Sequence, residues 1–233
     1  VQFRIPEIAD ELFRVDEAMK AGFGWQNGPF EIWDAVGLEA GIALIKAAGQ
    51  PVAPWIEALE ASGAKTFYQL KENKKYYYNA SKKSFEPIPG QEAFLILDDI
   101  RENKTVWQNK ECSVIDLGDG ILNIEFHSKM NTIGAGVLQG INKGIDHAEQ
   151  GYEGLIVGNH GAHFSAGANL GMIFMMAVEQ EYDELNMAIK YFQDTMMRMR
   201  YSSIPTIAAP HGMTLGGGCE LSMHADKVVA AAE

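Results

Sequence analysis

In Ser203-Ile-Pro-Thr-Ile-Ala-Ala-Pro-His-Gly-Met-Thr-Leu-Gly-Gly-Gly-Cys-Glu-Leu221, a short apolar run from Thr206 to Ala209 is stopped by Pro210. Three consecutive glycines, Gly216 to Gly218, follow, and a carboxylate arrives at Glu220 on what reads as the first turn of a helix. Glycines let a ligand approach the main chain, and the free N–H groups of a helix start are partial positive charges able to stabilise an oxyanion. A glutamate beside such donors is placed for proton transfer. The same residues also satisfy a plainer reading, in which the glycines permit a tight strand-to-helix turn and Glu220 complements the helix dipole.

Working outward, the chain of 233 residues is long enough for one large domain or two modest ones. Its 47% hydrophobic and 21% charged residues are those of a globular protein with a real core, and no run approaches the roughly 20 apolar residues of a membrane-spanning helix. A net charge of -12 opposes general affinity for nucleic acid, so a phosphate-bearing ligand would need local basic groups or backbone N–H donors. Cys112 and Cys219 are the only cysteines and form no C-x-x-C pair, which suits a reducing cytoplasm. His160 and His163 lack a third ligand at metal-site spacing, so no metal is expected. The chain starts at Val1 and stops within the strand-like Lys227-Val-Val-Ala-Ala-Ala-Glu, and is expected to be an excised piece of a longer protein.

The N-terminal residues 1–63 read as an all-α helical domain. Ile8, Leu12, Val15 and Met19 fall on helical spacing after Pro6, with an end expected at Gly22. Further helices are expected over 31–37, 39–48 and 54–62. The run Asp16-Glu-Ala-Met-Lys-Ala-Gly-Phe-Gly-Trp-Gln-Asn-Gly-Pro-Phe-Glu31 resembles the C-terminal helical domain of 3-hydroxyacyl-CoA dehydrogenases, with Gln26 where that family usually carries proline. The resemblance implies a role in dimer contacts and closure over acyl-CoA, with the NAD site and catalytic His/Glu pair in a preceding Rossmann domain. No Gly-x-Gly-x-x-Gly is present: Gly22, Gly24 and Gly28, like Gly134, Gly136 and Gly140, are spaced one residue too long. Dehydrogenase chemistry is therefore not expected within these residues.

Residues 64–110, rich in Lys, Asn and Tyr, read as a linker with a small β-hairpin, Thr66-Phe-Tyr-Gln-Leu70 and Tyr76-Tyr-Tyr78 joined by a polar turn, with Pro87 and Pro89 at its exit. The tyrosines fit packing better than base stacking. Residues 111–233 change to an alternating pattern, β-β-α-β-α-α-β-α-β, of the α/β class. Its first two strands flank the turn Gly118-Asp-Gly120, and a second small-residue junction, His160-Gly-Ala-His-Phe-Ser-Ala-Gly-Ala-Asn-Leu170, precedes helices over 171–179 and 183–199.

Together, Phe164-Ser-Ala-Gly-Ala-Asn-Leu170 and Ala209-Pro-His-Gly-Met-Thr-Leu-Gly-Gly-Gly-Cys-Glu-Leu221 resemble the enoyl-CoA hydratase (crotonase) family. The implied architecture is an α+β and α/β multidomain chain: the helical domain, the hairpin linker and a partial crotonase-like domain. The resemblance implies that the backbone N–H groups of Ala168 and Gly217 polarise a CoA thioester and that the Ala166 carbonyl meets the adenine. Gly167 and Gly216 would bind substrate, and Glu220 would be one of two catalytic glutamates. Asn169 stands where many members carry Asp, and the second glutamate would lie beyond Glu233. Lys129 and Lys143 are expected to be solvated, His211 and His224 packed, and the methionines of 172–176 and 187–199 in a core. The implied whole is a homo-oligomeric bifunctional β-oxidation enzyme, which hydrates trans-2-enoyl-CoA and oxidises 3-hydroxyacyl-CoA with NAD. Residues 1–233 alone are expected to show negligible hydration. An enoyl-CoA isomerase, or a non-catalytic oligomerisation or interdomain module, are the other readings of these residues.

Overall fold

A computed structural model describes residues 1–71, 74–91 and 94–232. They form two compact units, Val1–Asp99 and Ile100–Glu233, and the division falls inside one helix, α5 (Leu97–Lys104).

In the first unit, α1 spans Leu12–Phe23, α2 Pro29–Val36, α3 Leu38–Ala47 and α4 Pro54–Ala61. The first helix starts later than its apolar spacing predicts. The Ile8 N–H bonds to the Arg4 carbonyl in a separate turn at 2.8 Å, and the Ile8 side chain is exposed. It also runs through Gly22 and stops at Gly24, whose left-handed φ of 65° is the usual helix C-terminal device. Gly28 then caps α2, with Pro29 in its first turn and the Glu31 carboxylate accepting the Gly28 N–H at 2.9 Å. A Cβ at Gly28 would lie 2.3 Å from the Asp16 Cβ, so a side chain there would drive the two helices apart.

Buried Asp16, from α1, accepts the N–H groups of Phe30 (2.9 Å) and Glu31 (3.2 Å) and the Tyr68 hydroxyl (2.7 Å). It thereby supplies from a neighbouring helix the acceptors that the first turn of α2 lacks. Asp34, within α2, accepts the Phe67 and Tyr68 N–H groups at 2.7 and 3.0 Å and fixes the start of a three-stranded antiparallel sheet. That sheet comprises β1 (Tyr68–Lys71), β2 (Lys74–Asn79) and β3 (Ser84–Pro87). The expected hairpin thus gains a third strand, and Pro87 lies within it rather than marking its exit. The turn at 72–73 lies outside the described residues.

The sheet does not stand apart as a linker. Tyr77 meets Phe13 edge-on at 4.8 Å, Tyr78 meets Phe85 at 5.5 Å, and Phe67, Tyr77 and Tyr78 share one buried core with the helices. Residues up to 99 therefore belong to the helical unit, and 100–110 open the second.

The second unit has one six-stranded sheet, β4 (Thr105–Gln108), β5 (Cys112–Gly118), β6 (Ile121–Phe126), β7 (Gly154–Val157), β8 (Thr206–Ala208) and β9 (Lys227–Val228), in that spatial order. The first three strands pair antiparallel and the remainder parallel. The elements from β5 onward follow the expected alternation, through α6 (Ala135–Ala148), α7 (Leu170–Val178), α8 (Tyr182–Arg200) and α9 (Gly217–His224). The short edge strand β4 is an addition to the expected pattern; its four residues alternate between half-buried and exposed.

Helix α6 lays Val137, Ile141 and Ile145 on the sheet. Gly140 and Gly144 let it approach closely, since a Cβ there would lie 2.2 Å from the Cys112 Sγ and 2.7 Å from the Ile124 Cδ1. Burial pushes the Cys112 thiol up to about 12, so it serves as a small core residue. Arg101 pairs with buried Glu125 through two hydrogen bonds of 2.9 and 2.8 Å, tying α5 to β6. No helix among the described residues is long and apolar enough to cross a membrane.

Two carboxylates of the first unit respond oppositely to pH. Desolvation raises Asp34 to about 6, outweighing its two N–H donors. Glu31, although also desolvated, is held at about 2 chiefly by the Lys75 hydrogen bond, with Gly28 N–H and Lys20 adding. For Asp34 the folded state takes up a proton that the unfolded chain does not hold between about pH 4 and 6, so stability rises on acidification through that window. Glu31 contributes stability above its unfolded value that is lost as pH falls towards 2. Asp34→Asn should abolish the first response: the wild-type advantage in Tm should widen from pH 7 to 4, as read by thermal melts in matched buffers.

Candidate active site

Two strand-to-helix junctions lie side by side, β7 to α7 and β8 to α9. Buried Asn159 fixes the first by accepting the Phe126 N–H at 2.7 Å and donating to the Phe164 carbonyl at 2.8 Å. Ser165, fully buried, donates to the Asn131 carbonyl at 2.7 Å and accepts the Gly167 N–H at 3.0 Å. The junctions then pair as a short parallel bridge, Ser165 opposite Thr214. Its bonds run from Ser165 N–H to the Met213 carbonyl and from Leu215 N–H to the Ser165 carbonyl, both 3.0 Å.

This pairing sets the glycines. Gly167 has φ +92°, and a Cβ on it would lie 2.7 Å from the Leu215 carbonyl oxygen and 3.3 Å from the Gly217 nitrogen. Gly216, at φ 46° and ψ -117°, precedes the first residue of α9 in a backbone conformation that glycine accommodates without steric cost. The Ala168 and Gly217 N–H groups donate to no partner among the described residues. They are close neighbours: the Cβ position of Gly217 lies 3.5 Å from the Ala168 nitrogen.

Ala168, Gly217 and Glu220 line one cavity of about 260 Å³, together with Asn169. Its walls are otherwise mostly apolar, including Leu138, Met172, Ile173, Leu185, Ile189 and Phe192, with Tyr191 and Gln193 adding polar atoms. Glu220 lies in the first turn of α9 and is exposed, and its carboxylate has no ion-pair or hydrogen-bond partner among the described residues. Ala166, Gly167 and Gly216 frame the site from outside the cavity wall. The Ala166 N–H is bonded to the Met130 carbonyl at 3.1 Å, and the Gly167 carbonyl accepts the Ile133 N–H at 2.8 Å. Two unoccupied backbone donors, a solvent-accessible carboxylate and an apolar recess make a site able to polarise a carbonyl and move a proton beside it.

Asn169 accepts the Met172 N–H at 3.2 Å and caps α7. His211 bonds the Gly161 carbonyl at 2.9 Å, His224 the Glu220 carbonyl at 2.7 Å, and the His163 Nδ1 accepts the Met213 N–H at 3.3 Å. The first and third rings hold loops together, and the His224 ring bonds within α9. Among the described residues no three His, Cys, Asp or Glu side chains converge on a metal site. Lys143 is engaged with Asp146 at 3.3 Å, and Lys129 is exposed.

The methionines divide. Met196 and Met199 are buried in the core, whereas Met172, Met175, Met187 and Met197 are exposed, because α7 has no buried residue and α8 buries a stripe only near its C-terminal end. The contribution of α8 to the cavity was also not read, since its Leu185, Ile189 and Phe192 spacing is that of any amphipathic helix.

The chain belongs to the enoyl-CoA hydratase/isomerase family, whose pattern residues 116–233 match. Among its relatives, a Bacillus subtilis (strain 168) protein named "Probable 3-hydroxyacyl-CoA dehydrogenase" is 40% identical over 97% of this chain and 29% of its own length. The fatty acid oxidation complex subunit alpha of Colwellia psychrerythraea (strain 34H) is 29% identical over 54% of this chain and 18% of its own length. An enoyl-CoA hydratase/isomerase structure from Xanthobacter autotrophicus Py2 aligns at 28% identity over 53% of this chain and 46% of that one, with a TM-score of 0.46. The chain thus spans under a third of the length of these curated relatives.

Neither glycine set forms a dinucleotide-binding strand-to-helix turn. Gly22 to Gly28 run from the end of α1 into the α1–α2 turn, and Gly134 to Gly140 lie in the first turns of α6; neither follows a strand with the needed spacing.

Gly167→Ala should destabilise the second unit by about 1–3 kcal/mol through the left-handed φ and the Leu215 oxygen. Gly171→Ala, within α7 where a Cβ would make only an ordinary 3.5 Å contact with the Asn169 Oδ1, should be neutral or slightly stabilising. Urea unfolding of the two variants measures the contrast.

Proposed function

We propose that the second unit carries the acyl-CoA half of a β-oxidation enzyme and hydrates trans-2-enoyl-CoA to 3-hydroxyacyl-CoA. The observation that carries this reading is the convergence of the free Ala168 and Gly217 N–H groups with Glu220 on one apolar cavity. The thioester oxygen would accept both N–H groups, drawing electron density from the conjugated C=C so that water adds at C3. The enolate-like state that follows places negative charge on that oxygen, where the two donors stabilise it more than they stabilise the substrate. Glu220 would take a proton from the attacking water or return one at C2. A second carboxylate for the other transfer would come from outside these residues, and the apolar wall of α7 and α8 would receive the acyl chain.

The names of the relatives, a 3-hydroxyacyl-CoA dehydrogenase and a fatty acid oxidation complex subunit, support a whole protein that oxidises its own hydration product. In that whole the helical unit would belong to the dehydrogenase part and NAD would bind elsewhere. An oligomeric assembly and a cytoplasmic setting, in keeping with the free thiols of Cys112 and Cys219, complete the proposal.

One observation favours a second reading. Among the described residues lining the cavity Glu220 is the only carboxylate, and moving a double bond from C3 to C2 needs one carboxylate to carry a proton from C2 to C4. Glu220→Gln in the full-length protein should cut hydration of a trans-2-enoyl-CoA by about 10²–10⁴-fold while sparing oxidation of 3-hydroxyacyl-CoA. Unchanged hydration rejects the assignment, and conversion of 3-enoyl-CoA without hydration selects the isomerase.

A further inference from the structure

Gly217 has close packing neighbours on two other segments. On one side is Gly167, whose Cβ position is 3.3 Å from the Gly217 nitrogen. On the other is the ring of Phe192: a Cβ on Gly217 would meet the Phe192 Cε2 at 3.1 Å and Cζ at 3.2 Å, and the Ala168 nitrogen at 3.5 Å. The ring edge therefore rests against the bare Cα of Gly217, on the side from which Ala168 presents its donor. We infer that Phe192 is a positioning residue for the oxyanion site, its ring fixing Gly217 so that the two N–H groups converge, and shielding them from water.

The inference rests on the reading of Ala168 and Gly217 as thioester donors. Its support is where α8 is held and where it is not. Phe192, Thr195, Met196 and Met199 occupy one stripe, at i, i+3, i+4 and i+7. Met196 and Met199 are buried in the core, and Thr195 accepts the Asn142 side-chain N–H at 2.8 Å. Arg198 adds a hydrogen bond to Asn142 at 3.1 Å and a close ion pair to Asp146, so this half of α8 is fastened to α6. N-terminal to Phe192, residues such as Tyr182, Met187 and Ile189 are exposed. Phe192 is thus the last inward residue of the anchored half, partly buried against the core and lining the same cavity as Ala168, Gly217 and Glu220.

A donor displaced by a fraction of an ångström polarises its acceptor less, and the loss is felt in the charged state rather than in substrate binding. A ring that merely touched the acyl chain would instead change binding.

The test uses full-length protein with butyryl-CoA carrying ¹³C at the thioester carbon, an unreactive probe whose carbonyl stretch falls when the oxygen is polarised. In wild type the bound stretch should lie below its free value. In Phe192→Ala and Phe192→Leu it should move back towards the free value, with kcat for trans-2-enoyl-CoA lowered about 10–100-fold and KM changed less than about threefold. Phe192→Leu retains most of the apolar volume and carries the test should the alanine variant fail to fold. A changed KM with kcat and stretch unaltered, or no change in any readout, overturns the role of Phe192. A wild-type protein that leaves the stretch at its free value overturns the oxyanion reading itself, which separates the two failures.

Discussion

Two backbone hydrogen bonds, from Ser165 N–H to Met213 and from Leu215 N–H to the Ser165 carbonyl, register one strand-to-helix junction against the other. Everything in the candidate site depends on that register. It sets Gly167 against the Leu215 carbonyl, brings the starts of α7 and α9 together and leaves the N–H groups of Ala168 and Gly217 without internal partners. A backbone donor left unpaired beside an apolar cavity is costly, and a site that needs such donors must hold them by rigid surroundings. Here the surroundings are buried polar groups, Asn159 and Ser165, each bonded twice to backbone.

The first unit solves a similar problem with charge. Asp16 and Asp34 are carboxylates spent on backbone N–H groups, one serving the start of α2 and the other the start of β1. Lys75 and Lys20 neutralise Glu31 nearby, and Lys75 also lies 4.4 Å from the Tyr68 ring centroid. Helices and sheet are thereby locked together through the ends of their elements, beside an aromatic core of Phe30, Trp33, Trp55 and Phe67. The tyrosines of the small sheet stand among lysines in the sequence yet fit packing there, and Tyr77 and Tyr78 are buried.

Helix α8 shows how one element does two things along its length. Its C-terminal half is bonded to α6 and buried, while its N-terminal half, with α7, forms a cavity wall of exposed apolar side chains. Helical periodicity alone treats both halves alike. The methionines were therefore expected in a core, and only those on the anchored half are there.

What the sequence determined by itself is local. Glycine at positions 167 and 216 marks backbone that few other residues adopt, and alternating apolar runs gave the strand and helix order from β5 onward, with small residues at the two junctions. The placing of Glu220 on the first turn of a helix was likewise legible, because turn chemistry and periodicity act over a few residues. Tertiary structure decided the rest: that Gly217 lies against Ala168, that Ser165 joins both junctions, that α8 supplies Phe192 to the cavity, and that Phe67, Tyr77, Tyr78 and Ile88 share a core with the helices. Those facts rest on packing between segments tens of residues apart. Many arrangements satisfy the same local pattern, and only close packing of the whole chain selects among them.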